Sequence, residues 1–147
     1  MNLFPFGKHI SYLYRIQQSF LTKKTQGYDI SGGQVSFIFT LKAHPGCSQE
    51  DVANMLDLDK TTVARALSKM EKNEIIMRIR DTKDQRVMRL YLTDKGLQLN
   101  DQLKKLTEEW YKILVDGMTE SEITSLKKLM GHMTDNVKTM NQKEKEK

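Results

Sequence analysis

A single cysteine, Cys47, stands in 147 residues. That excludes an internal disulfide and a cysteine zinc cluster, and with them the small scaffolds that depend on either. Histidine is nearly as scarce. His9, His44 and His132 are scattered without ligand spacing, so no metal site is expected. No stretch approaches the ~20 apolar residues of a membrane span. The segment from Met1 to Ile10 lacks the basic-then-apolar order of a secretory signal. A cytoplasmic protein with no membrane partner is therefore expected. Phosphate-cradling G-x-x-x-x-G-K-[ST], the G-x-S-x-G elbow and clustered acid pairs are all missing. No catalytic residue, no cofactor and no enzymatic activity are expected. Two prolines and eight glycines leave room for long helices. Hydrophobic residues reach only 38%, against roughly 45–50% in globular chains, a range that also counts glycine. So thin a core suits a chain with much exposed helix surface, completed by a partner.

What is present is basic charge in one place. Residues 60–89 carry nine bases (Lys60, Arg65, Lys69, Lys72, Arg78, Arg80, Lys83, Arg86, Arg89) against four acids (Glu71, Glu74, Asp81, Asp84). Every arginine except Arg15 lies in that window. Arginine suits bidentate contacts to phosphate and guanine. A solvated charged face is the plain alternative.

Periodicity supplies the elements. A helix is expected over 8–27, with Ile10, Leu13, Ile16 and Phe20 on one face and Gly27 as its stop. Ser31 with Gln34 fits a capping box opening a second helix, which ends before His44-Pro45-Gly46. Ser48 with Asp51 caps a short helix over 49–56, and Asp59 caps another over 60–72. Asn73 fits a left-handed C-terminal residue. Residues 75–80 and 87–92 alternate as strands about a polar tip, forming a hairpin. Thr93 caps a helix over 94–115 through Leu99, Leu103, Leu106, Trp110 and Ile113. Gly117 breaks it. Thr119 with Glu122 caps a last helix, whose residues Ile123, Leu126, Met130, Met133, Val137 and Met140 make a heptad-like seam.

The segment Gln49 to Leu67 fits a helix-turn-helix. Ala53 is the small residue at the crossing, while Val52, Leu56, Leu58, Val63 and Ala66 lock it. Asp57 occupies the turn, where it can accept a left-handed conformation at modest cost. Two short helices packed for structural reasons could look alike. A basic hairpin directly after them makes the unit a winged helix. Lys60, Thr61, Thr62, Arg65 and Lys69 would form a recognition helix for base edges and phosphates of the major groove. Arg78, Arg80, Lys83, Asp84 and Arg86 would form the wing, whose arginines suit a narrow minor groove. Asp84 would repel phosphate if free, so it is expected to orient Arg86.

The run Asp84-Gln85-Arg86-Val87-Met88-Arg89-Leu90-Tyr91-Leu92-Thr93-Asp94-Lys95-Gly96 resembles the D-x-R wing and L-T-x-x-G helix start of the MarR (multiple antibiotic resistance regulator) family. Ser48-Gln49-Glu50-Asp51-Val52-Ala53 and Asp59-Lys60-Thr61-Thr62-Val63-Ala64-Arg65 resemble its paired DNA-binding helices. The likeness is specific over 48–96 and weak outside. It implies a mainly α fold with a small β-hairpin wing: a winged helix-turn-helix plus a helical dimerisation region. It also implies a homodimer that binds double-stranded DNA, a pseudo-palindromic promoter site above all, as a repressor.

The implied organisation is a dimerisation helix over 1–30 and a DNA-binding domain over 31–92, with helix-turn-helix 48–72 and wing 75–92. C-terminal dimerisation helices over 93–140 and a disordered tail over 141–147 complete it. Dimerisation would use Ile10, Leu13, Ile123, Leu126, Met130, Met133 and Val137. These stripes also fit ordinary intramolecular packing. The family's usual trigger is a small aromatic or anionic effector. By resemblance its pocket would be lined by His9, Tyr12, Arg15 and Tyr111. Packing aromatics on amphipathic helices would look the same. Two alternatives remain open: a winged-helix protein–protein interaction module, and a thiol-based redox sensor through Cys47 at the head of a helix.

Overall fold

In the computed structural model, which describes residues 4–146, the chain forms α1 (Phe4–Lys24), α2 (Val35–Ala43), α3 (Gln49–Leu56) and α4 (Lys60–Lys72). Then come β1 (Ile76–Arg80), β2 (Met88–Leu92), α5 (Asp94–Leu114) and α6 (Glu120–Lys145). Single 3-10 turns lie at Gln26–Tyr28 and Gly32–Gln34. The fold is therefore mainly α with one antiparallel hairpin, as expected. Two compact units divide it, residues 1–108 and 109–147. None of the helices among the described residues is long and apolar enough to cross a membrane.

Capping chemistry sets the helix starts. At α3 the Ser48 hydroxyl accepts from Asp51 N at 3.1 Å, and the Asp51 carboxylate accepts from Ser48 N at 2.8 Å. At α4 the Asp59 carboxylate accepts from Thr62 N at 2.8 Å. At α6 Thr119 and Glu122 close a reciprocal box like that of α3. Each satisfies amide donors that a helix start leaves bare, worth about 1 kcal/mol per cap.

The core of the first unit is built by Leu21 of α1, Phe37, Ile38 and Leu41 of α2, and Val52 of α3. Val63, Leu67 and Met70 of α4, Ile75, Ile76, Leu90, and Leu99 and Leu103 of α5 complete it. Only the end of α1 takes part. Its earlier apolar residues, including Phe6, Ile10, Leu13 and Tyr14, stay exposed. Gly32 lets α1 cross the second 3-10 turn closely: a side chain there would run into the Gln18 backbone. Gly32 N donates to the Thr22 hydroxyl at 2.8 Å across that crossing. In the second unit Trp110 is buried, but α6 has no buried residue. Leu126, Met130 and Val137 of its seam are 39%, 49% and 53% exposed.

Several boundaries differ from the sequence reading. Helix α1 stops at Lys24, not 27, because the backbone tightens there into a 3-10 turn, with Tyr28 N donating to Thr25 O at 3.0 Å and Asp29 N to Gln26 O at 3.2 Å. Gly27 sits inside the following 3-10 turn, and Asp29 takes the left-handed conformation at φ 51°. Asn73 is not left-handed (φ −86°); its amide donates to Asp29 O at 3.0 Å, and Glu74 takes φ 58° instead. Residues 141–145, expected to be disordered, continue α6.

The L-T-x-x-G start of α5 has a steric reason. Thr93 N donates to Ile75 O at 3.0 Å, and the Thr93 hydroxyl donates to Glu74 O at 2.6 Å while accepting from Gly96 N at 3.1 Å. These bonds press Gly96 against the Ile75 carbonyl, where a Cβ would collide with backbone. Gly96→Ala is expected to destabilise the fold by about 1–3 kcal/mol, measured as a lower midpoint in urea unfolding.

Candidate nucleic-acid interface

The helix-turn-helix closes as its composition demands. Asp57 adopts φ 53°, ψ 44°, and Leu58 N donates to Ala53 O at 3.0 Å. Val52, Ala53 and Val63 are buried, with Leu56, Leu58 and Ala66 packed partly against the core. This lock leaves Lys60, Thr61, Thr62, Arg65 and Lys69 of α4 exposed. They are not equivalent. The Thr62 hydroxyl donates to the Asp59 carboxylate at 2.6 Å, so it serves the cap. Lys60 lies 3.9 Å from Glu50, and Lys69 lies 3.8 Å from Asp29. Thr61 and Arg65 have no side-chain partner among the described residues.

The hairpin pairs Ile76 with Leu92, Arg78 with Leu90 and Arg80 with Met88. Its edge is extended by the α2–α3 turn: Gly46 N donates to Leu90 O at 2.8 Å, and Leu90 N to Cys47 O at 3.0 Å. Here too the cations separate into two kinds. Arg78, half-buried at the root, donates to Glu71 at 3.1 Å and to Gln49 at 3.2 Å, tying β1 to α4 and α3. Arg80 donates to Gln85 O at 2.7 Å across the tip. Arg89 donates to Asp81 at 2.7 Å and to Gly46 O at 3.3 Å. Lys83 and Arg86 are exposed, and their side chains have no partner among the described residues. Arg86 lines a groove of about 490 Å³ together with Ser48, Gln49, Glu50 and Asp51 at the head of α3. Wing and helix-turn-helix thus share one surface.

Asp84 does not hold the Arg86 guanidinium as expected. It accepts the Arg86 backbone N–H at 3.0 Å, so it shapes the turn and leaves the side chain free. The acid near the tip that pairs with an arginine is Asp81, with Arg89. Its carboxyl is held down at about 2, first by the Asp84 backbone N–H, then by the Arg89 guanidinium and the Lys83 N–H. Asp81, Gln49 and Glu71 were not singled out from sequence. For Asp81 a signal existed: an Asp two and three residues before backbone donors is the pattern of an Asx-type turn.

Two other expectations concern small molecules and redox. Of the four aromatic and basic candidates, Arg15 stacks over the Tyr12 ring at 5.7 Å, and His9 is exposed beside them in sequence. Tyr111, in the second unit, carries Lys127 over its ring at 5.3 Å. None of the four lines the cavity of about 300 Å³ beside α1 and α2, whose walls include Tyr14, Gln18, Leu21, Val35 and Phe39. Burial, and next the Asp51 carboxylate, push the Cys47 thiol up, opposite to the lowering that a helix head can give. Among the described residues no cluster of three His, Cys, Asp or Glu could hold a metal.

Comparison with known proteins agrees with this architecture. The MarR family matches over residues 30–88, which hold both helices of the helix-turn-helix and most of the wing. A solved MarR transcriptional regulator from Methanosarcina mazei Go1 is 36% identical, covers 92% of this chain and 97% of its own, and superposes with a TM-score of 0.84. The HTH-type transcriptional regulator BilQ of Clostridium symbiosum is 31% identical over 70% of this chain and 72% of its own length. A mutant MarR from E. coli, solved with operator DNA, shares the fold at 18% identity, with a TM-score of 0.77 over 89% of this chain and 94% of its own. The chain belongs to the MarR family of DNA-binding transcriptional regulators.

Proposed function

We propose that this regulator acts as a homodimeric repressor that covers a pseudo-palindromic promoter site and leaves it when a small aromatic or anionic ligand binds. The observation that carries the DNA contact is the separation of the cations. Arg65 on α4 and Lys83 and Arg86 on the wing are exposed and uncommitted, whereas Arg78, Arg80 and Arg89 are spent on holding the hairpin. Thr61 and Arg65 would read base edges in the major groove while Arg86 enters the minor groove. Thr62 and Lys69 contribute to position, since both already have partners within the chain. The E. coli neighbour solved with operator DNA supports the same use of the fold. Acting on promoter DNA, the protein would work in the cytoplasm.

The dimer is supported by apolar surface that a single chain leaves bare. Ile10 and Leu13 on α1 and Leu126, Met130 and Val137 on α6 are exposed, with Ile123 and Met133 half-buried. Two recognition helices related by a two-fold axis would read half-sites about 10 bp or a multiple apart. A ligand would act only through its differential affinity for the DNA-competent and released spacings. The cavity beside α1 and α2 sits at the lower end of the range for small-ligand sites, roughly 300–1,000 Å³. The Tyr12–Arg15 pair could attract an aromatic carboxylate to the same helix.

Footprinting on the DNA flanking its own gene is expected to show a protected two-fold site. Arg86→Ala should flatten the slope of log affinity against log salt by about one unit, read by fluorescence anisotropy; an unchanged slope would remove Arg86 from the interface. Leu126→Glu combined with Met130→Glu should give a monomer in analytical ultracentrifugation that no longer protects the paired half-sites. Alkylation of Cys47 near neutral pH should be slower than that of a free thiol by mass spectrometry, because the raised pKa leaves little thiolate.

A further inference from the structure

The tip of the wing is held by a continuous chain of bonds that begins at the head of α3. The α2–α3 turn is fastened to β2 by Gly46 N to Leu90 O and Leu90 N to Cys47 O. Arg89 of β2 reaches back to Gly46 O with Nη1 and across to Asp81 Oδ2 with Nε. Asp81 Oδ1 accepts the backbone N–H groups of Lys83 and Asp84 at 2.7 and 2.9 Å. Asp84 in turn accepts the Arg86 N–H at 3.0 Å. The path therefore ends on the backbone of Arg86, the one tip arginine whose guanidinium has no partner among the described residues.

We propose that Asp81 and Arg89 are positioning residues for DNA binding: a latch that fixes the wing tip so that Arg86 meets the duplex already oriented. The pair is only partly exposed, with the Asp81 side chain at 15% and that of Arg89 at 38%. Two of the three donors that converge on the Asp81 carboxylate are tip backbone N–H groups, so what it fixes is the shape of the tip. A long arginine on a loose loop loses freedom when it binds, whereas a tip ordered in advance leaves less to lose. The inference rests on Arg86 being a DNA contact, and its test separates the two.

The sign of one substitution decides it. Asp81→Asn removes a negative charge from a surface that faces phosphate. Charge alone then predicts tighter binding. A broken latch predicts weaker binding, because Arg89 loses its partner and the tip loosens. Binding would be measured on a mixed-sequence duplex, whose phosphate contacts need no known operator. Wild type, Asp81→Asn, Arg86→Ala and the double variant would be compared across salt. Circular dichroism and thermal melting of each would confirm an intact fold.

The expected result is a several-fold loss for Asp81→Asn with a salt slope flattened by up to about one unit. Arg86→Ala should then add little in the Asp81→Asn background, since both remove the same contact. Arg89→Met, which keeps most of the aliphatic stem, should repeat the Asp81→Asn loss and its non-additivity with Arg86→Ala. Affinity equal to or above wild type in Asp81→Asn, or additive losses, would overturn the latch while leaving the wing contact standing. No effect of Arg86→Ala in wild type would overturn the wing contact itself, and the latch with it.

Discussion

A two-stranded hairpin is marginal in water by itself, and this protein places its wing on one. The rest of the candidate DNA-binding surface depends on how that hairpin is anchored. At the root, Thr93 bonds to Glu74 O and Ile75 O, and Gly96 admits the Ile75 carbonyl to the first turn of α5. Along one edge, the α2–α3 turn pairs with Leu90 almost as a third strand. On the face toward the helices, Arg78 joins Glu71 and Gln49, so β1, α4 and α3 share one guanidinium. β1, α4 and α3 cannot shift independently while these bonds hold.

This anchoring gives the basic window two uses for one residue type. Arginine's planar fork can tie several acceptors at once. Arg78 and Arg89 are used that way, inside the protein. Arg65 and Arg86 keep the same fork open to solvent. Charge counting alone overstates the interface, since a paired guanidinium brings its carboxylate with it. Each pair keeps one partner partly open to solvent, Glu71 at 45% and Arg89 at 38%, which limits what desolvation takes from it. The gain is a fixed frame for the unpaired ones.

Local chemistry made much of the fold legible in the sequence. Helix α3 begins and ends, and α4 begins, where Ser48, Asp51, Asp57 and Asp59 place them, because a cap or a left-handed joint is decided within about four residues. The strand register follows from alternation once the root is fixed. What could not be read was non-local. Which arginine pairs with which acid depends on elements brought together from Gln49, Glu71 and Asp81. The end of α1 differs because the chain tightens into a 3-10 turn before Gly27 and leaves it through a left-handed Asp29, not through the glycine. Asn73 yielded the left-handed position to Glu74 because its amide found Asp29, far away in sequence.

Helix α6 carries the argument for a second chain furthest. It spans 26 residues and buries none of them. Its capping box and charge pattern, acids in the first turn and lysines in the last, favour a helix but supply only about 1 kcal/mol each. Long helices in water owe most of their stability to packing of an apolar face. The seam through Ile123, Leu126, Met130, Met133 and Val137 is such a face, left uncovered. The same holds for the first half of α1. In the proposed dimer these faces would supply the core that a 38% hydrophobic chain lacks in isolation. Burial between subunits and the spacing of the two recognition helices would then be set by the same contacts, which is where a small ligand has leverage over DNA binding.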